Sequence, residues 1–179
     1  MNLEKLSSKL PLITGWIDQT LAEHAALAQT VADFDFVRLP HFFSANLLAR
    51  TKVVAVARVP VPPLTAMGLP EFSAFEKGDY AGIAFKDTYF LQIAQATNES
   101  THFHELVHVL QWADLGVERF LLAYAAGLEA NGYRNSPLEA MACELQDYFD
   151  RSGQPGDVEG LVRNKLNELY PQTPESPAA

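Results

Sequence analysis

The sequence predicts an α+β fold, mostly helical, with a small β-sheet or hairpin set ahead of one central helix. Three observations lead there. Apolar residues recur at three- and four-residue steps through much of the chain, the signature of amphipathic helices. Two β-rich stretches, Lys52–Val59 and Gly82–Ile93, interrupt that pattern. Between them and the C-terminal helices lies Thr101–Trp112 (T-H-F-H-E-L-V-H-V-L-Q-W), an apolar run that carries three histidines and a glutamate.

The length of 179 residues suits one domain, taken as residues 1–170, followed by a polar, proline-rich tail, 171–179, expected to be disordered. A composition of 48% hydrophobic and 20% charged residues excludes a disordered chain. The net charge of −9 argues against nucleic acid or an anionic membrane as partner. Cys143 is the single cysteine, so an internal disulfide scaffold is excluded. The first residues hold no apolar run long enough for a signal peptide, and no stretch reaches bilayer length. The expected compartment is the cytoplasm.

Taken in order, Pro11–Ala32 is expected to be helical, with Pro11 in the first turn. Asp33–Phe43 is aromatic and aperiodic, a connector packed down by its phenylalanines. Ser44 can cap a short helix through Arg50. Lys52–Val59 is β-branched and predicts a strand. Val59–Pro70 is rich in proline, which forbids helix or central strand and predicts a stiff loop, a wall for a cleft or a plain connection. Gly82–Ile93 predicts a hairpin turning near Lys86-Asp87; an edge strand there could pair with an extended substrate. The central helix should run from a cap among Asn98, Ser100 and Thr101 to about Leu115, with Gly116 as its stop. A helix over Val117–Ala130 ends at Asn131-Gly132. Ser136-Pro137 opens another through Tyr148 or Phe149, and the last spans Val158–Leu169.

The chemistry sits in the central helix. His104 and His108 are four residues apart, so they share a face, and Glu105 leans over the same point about 100° round. Two imidazoles on one ion, with a carboxylate held beside its water, is what a zinc peptidase needs. Two histidines and a glutamate in a core-facing helix are costly without a partner, and a metal supplies one. His24 and His41 have no spaced partner and are assigned to structure.

A third protein ligand is required. Glu139, in the first turn of the helix opened by Ser136-Pro137, is favoured. Its rival role is a capping box with Ser136. Glu144 and Asp114 are the other candidates, although a continuing helix points Asp114 away from His108. Tyr133 is the first choice for a donor to the developing oxyanion, ahead of Arg134 and His102. His102 itself is assigned to the cap region or to supporting the site.

H-E-L-V-H-V-L-Q-W, followed some thirty residues later by N-S-P-L-E-A-M-A, resembles the gluzincin class of zinc metallopeptidases, in particular small domains of that type in bacterial proteins. The resemblance spans roughly residues 82–149. It implies a zincin-like domain in which His104, His108 and Glu139 bind one zinc ion and Glu105 is general base. The I-A-F-K-D-T-Y-F-L stretch resembles the hairpin such domains carry ahead of the metal helix. One departure stands out: four positions after Glu139, where larger gluzincins often have an acidic residue, this chain has Cys143, a small buried hydrophobe in character. The implied activity is hydrolysis of a peptide or protein substrate. The alternatives are a zinc-binding interaction module without turnover and a metal-free helical protein with a chance motif.

Overall fold

The computed structural model describes residues 3–151 and 153–171. The fold is α+β and mostly helical, with one four-stranded mixed sheet. The expected tail lies outside the described residues from position 172 onward.

Helix α1 (Leu3–His24) buries Leu6, Leu10, Ile13 and Ile17, spaced four, three and four residues apart. This helix differs from the expected one at both ends. Pro11 lies inside it rather than in its first turn. The ring is tolerated because Pro11 and Ser7 are both exposed, so the Ser7 carbonyl that loses its donor can turn to water. At the other end, residues 25–33 leave the helix for short 3₁₀ turns and a two-residue strand, β1 (Gln29–Thr30). Their alanines favour helix, but pairing of β1 with Lys52-Val53 and the Thr30 N–H bond to Asp33 Oδ2 (2.9 Å) capture the chain first.

Ser44 caps α2 (Ala45–Arg50), its hydroxyl accepting from Leu47 N–H at 3.2 Å. Strand β2 (Lys52–Val56) follows, shorter than predicted, and the Pro-rich loop leads through a one-turn α3 (Ser73–Glu76). Strands β3 (Gly82–Phe85) and β4 (Thr88–Gln92) form the expected hairpin. Lys86 takes φ +58°, the left-handed backbone a two-residue hairpin demands. The sheet order is β1-β2-β4-β3, with β2 and β4 parallel and the other pairs antiparallel. Central β4 buries Tyr89, Phe90 and Leu91 completely, and β3 is an edge.

Helix α4 (Glu99–Asn131) buries Phe103, Leu106, Val107 and Leu110, and meets the sheet through His102, bonded to Tyr89 of β4, and Trp112, bonded to Ala84 O of β3. None of the three proposed caps closes its start by a side-chain bond: Asn98 occupies the cap position, but its amide donates to Gln95 Oε1 (2.8 Å). The helix breaks at Gly116 (φ +72°, ψ 168°), so the two predicted helices meet end to end with no loop between them. Gly132 (φ +73°) ends the second half. Helix α5 (Pro137–Asp150) returns along α4, and α6 (Val158–Leu169), capped by Asp157, closes the domain. Among the described residues no helix is long and apolar enough to cross a membrane.

Two glycines should respond to alanine with opposite signs. A Cβ at either Gly15 or Gly116 meets nothing within 4 Å, so only the backbone decides. Gly15→Ala, inside α1, should stabilise by about 0.5–1 kcal/mol. Gly116→Ala, in a conformation essentially reserved to glycine, should cost about 1–3 kcal/mol. Urea denaturation of both variants checks the pair; equal effects would contradict the break at Gly116.

Candidate metal centre

His104 and His108 occupy successive turns on one face of the first half of α4, and Glu139 reaches that face from the first turn of α5. The two Nε2 atoms are 3.1 Å apart. Glu139 Oε1 lies 3.5 Å from the His104 nitrogen, and Oε2 lies 3.3 Å from that of His108. Donor atoms bound tetrahedrally at 2.0–2.1 Å from zinc stand about 3.3 Å from one another. Each nitrogen stands near that spacing from the other and from one oxygen of Glu139, His104 from Oε1 and His108 from Oε2, so the three side chains could hold one ion.

The hydrogen bonds behind the rings decide what the cluster requires. His108 Nδ1 faces Gln111 Oε1 at 2.8 Å, and His104 Nδ1 faces Gln146 Oε1 at 3.0 Å. The amides are themselves oriented: Gln111 Nε2 donates to Leu138 O (2.9 Å), Gln146 Nε2 to Ser100 Oγ (2.9 Å). Both Nδ1 atoms therefore carry the proton, which leaves a lone pair on each Nε2. Two lone pairs and a carboxylate facing one point need a cation there, a proton or a metal ion. Without metal a proton serves: burial opposes a charged His108, but the hydrogen bond and charge of Glu139 outweigh it and push the imidazole up to about 9. Burial likewise opposes the Glu139 carboxylate, and the bonds from His104 and His108 overcome it and hold it well below the usual range.

Glu105 is buried beside the cluster at 3% exposure, and its Oε2 has no hydrogen-bond partner. It is folded against β3, where a Cβ on Gly82 would fall 2.4 Å from Oε1. A side chain at position 82 would push the carboxylate or Leu91 from where it stands. Burial raises the Glu105 pKa, partly offset by His104 and His108 and reinforced by Glu139. Three tyrosines complete the surround. Tyr124 O–H donates to Glu139 Oε2 at 3.4 Å, and Tyr133 packs at a tilt on Tyr80 with ring centroids 5.1 Å apart, close enough to feel the Glu139 charge. Burial first, then the Glu139 charge, pushes Tyr80 up to about 12 and Tyr124 and Tyr133 well above their usual range, so all three remain donors.

The structure thus brings together His104, Glu105, His108, Tyr133 and Glu139, and separates the rivals. Glu144 pairs with Lys165 (2.8 Å) and Asp114 with Arg163 (3.6 Å), both away from the cluster. No capping box forms: Ser136 holds the cap position without a side-chain bond, and Glu139 turns to the histidines instead. Arg134 is exposed. His102 is fully buried with Nε2 on Ala96 O (2.9 Å) and Nδ1 on Tyr89 Oη (2.6 Å), a neutral ring fastening α4 to β4. Cys143 Sγ lies 3.9 Å from Glu139 Oε1, on the back of that carboxylate.

Gln111, Gln146, Tyr124 and Gly82 escaped the sequence reading. Gln111 is three residues after His108, and Gln146 two turns after Glu139, so helical spacing alone puts each on the ligand face. Gly82 left no signal, because its role depends on how the sheet docks on α4.

The pKa directions give a pH dependence for the metal-free chain. His108 titrates higher folded than unfolded (6.5), so its contribution is full below about pH 6.5 and lost as pH rises through about 9. Glu105, also raised, acts in the same direction above its ordinary value. Urea midpoints should therefore fall from pH 6.5 to 9, and His108→Gln should flatten that limb; a midpoint constant over the range would contradict the protonated cluster.

Comparison of the chain with family models, with curated proteins and with solved structures finds no match in any of the three, so its function has to be reasoned from this geometry.

Proposed function

We propose that the chain is a zinc-dependent peptidase. The observation that carries this reading is the convergence of two imidazole Nε2 lone pairs and one carboxylate at zinc spacing, with a second, unpartnered carboxylate buried beside them. One histidine pair and one glutamate suit zinc among divalent ions and leave a position open. Zinc, when bound, supplies a Lewis acid and lowers the pKa of water to about 7.

The chain's own groups do the rest. Gln111 and Gln146 hold the rings in the tautomer that ligates. Glu105 takes a proton from the attacking water and returns it to the leaving amine. Its raised pKa suits both directions of transfer. Tyr133 and Tyr124, protonated at neutral pH, can donate to the substrate carbonyl oxygen as it gains charge. Gly82 holds Glu105 against edge strand β3, so a peptide backbone added to that edge would run past the general base.

A second reading, a zinc-binding interaction module without turnover, draws support from one observation: the ligands are nearly closed off, with side-chain exposures of 12% for His104, 8% for His108 and 4% for Glu139. A structural site has no use for Glu105, and that favours hydrolysis.

Three measurements separate these. Purified protein should carry near-stoichiometric zinc, lost in His104→Ala and Glu139→Ala; a wild type that takes up no zinc when offered it would sink both readings. Gln111→Ala or Gln146→Ala should weaken zinc about 10–100-fold in chelator competition. In a peptide-library assay, Glu105→Gln should keep its zinc and lose about 10²–10⁴-fold in rate. A wild type that binds zinc and cleaves nothing would leave the interaction module.

A further inference from the structure

A cavity of about 90 Å³ runs from the cluster into the core. It is walled by Ile13 and Ile17 of α1, Leu64 and Leu69 of the Pro-rich loop, and Leu121 and Ala125 of the second half of α4. Its polar lining is confined to one end. Glu105, His108, Tyr80, Tyr124 and Tyr133 all border the cavity, and each is part of the cluster or touches it by hydrogen bond or charge. Trp112 also lines it, but its indole N–H is spent on Ala84 O at 3.0 Å. Beyond the cluster the walls offer no free donor or acceptor side chain.

Such a site takes a group that is polar and reactive at the mouth and apolar at depth. We infer that the cavity receives one branched aliphatic side chain of the substrate, of Val, Ile or Leu type, while the adjoining amide lies at His104, His108 and Glu139. This rests on the hydrolytic reading of the cluster. The volume selects the occupant. An apolar cavity of about 150 Å³ accepts a benzene ring; at about 90 Å³ this one suits a four-carbon branched group better than an aromatic ring. A charged or amide-bearing side chain would lose its water and find no partner. The specificity is built partly by α1 and the Pro-rich loop, which contribute nothing to the His104–His108–Glu139 cluster, and partly by the second half of α4.

The test has one arm that needs neither zinc nor turnover. Metal-free protein is titrated with 3-methyl-1-butanol and, separately, benzyl alcohol, following methyl NMR signals of Ile13, Leu64 and Leu121. Saturable shifts at these methyls, at least about tenfold tighter for the branched alcohol, support the cavity's role. They should vanish in Ala125→Phe, which fills the space, and Leu64→Ala should admit benzyl alcohol. No saturable shift, or binding unaltered in Ala125→Phe, overturns the inference. The second arm is a peptide library with zinc-loaded protein: cleavage beside Val, Ile or Leu by at least about tenfold over Phe and Gly supports it, and cleavage without that preference overturns it. Cleavage of nothing counts against hydrolysis, while saturable binding of the branched alcohol would still uphold the aliphatic cavity.

Discussion

Two nitrogen lone pairs and a carboxylate aimed at one point cannot be left without a positive charge between them, and the C-terminal half of this fold is arranged around that constraint. Helices α4 and α5 meet where His104, His108 and Glu139 converge. The glutamines behind the rings close off the alternative tautomers. The rest of the contact is ordinary packing: Leu138, Met141 and Ala142 fill the interface beside the polar cluster. The polar groups thus fix register, and the apolar ones supply cohesion.

Much of the cluster was legible because it depends on helical spacing. His104, Glu105 and His108 need only a helix to be brought together, and helix was the strongest local signal. Glu139 needed one further inference, that a connecting helix returns the chain, and the glycines at 116 and 132 marked its ends. What could not be read were placements set by tertiary packing. Nothing in the order of residues says that Gly82 faces Glu105, or that Tyr124 reaches the Glu139 carboxylate. The error at α1 has the opposite origin. The local preference of Ala25, Ala26 and Ala28 for helix was real, and strand pairing with β2 overrode it.

Division of labour between the two halves of the chain is the other outcome. Residues before the hairpin contribute no side chain to the His104–His108–Glu139 cluster, yet α1 and the Pro-rich loop enclose the space next to it. A stiff, proline-fixed loop is a suitable wall, since its shape costs little entropy to maintain. Cluster geometry and cavity shape can therefore vary separately.

The parallel pairing of β2 with β4 bears on how the molecule assembles. Antiparallel neighbours join through a tight turn, but Lys52 meets Thr88 only after the whole intervening crossover has been gathered in. Loop-closure entropy must be met before that pairing returns any stabilisation. Helices α4 and α5, close in sequence, face no such delay. A chain in which the helical pair has formed and the crossover has not would hold its two histidines and Glu139 together while Gly82 had yet to deliver β3 against Glu105. The His104–His108–Glu139 cluster and the seat of Glu105 against β3 would then arise at different stages of folding, with the Glu105 carboxylate placed last.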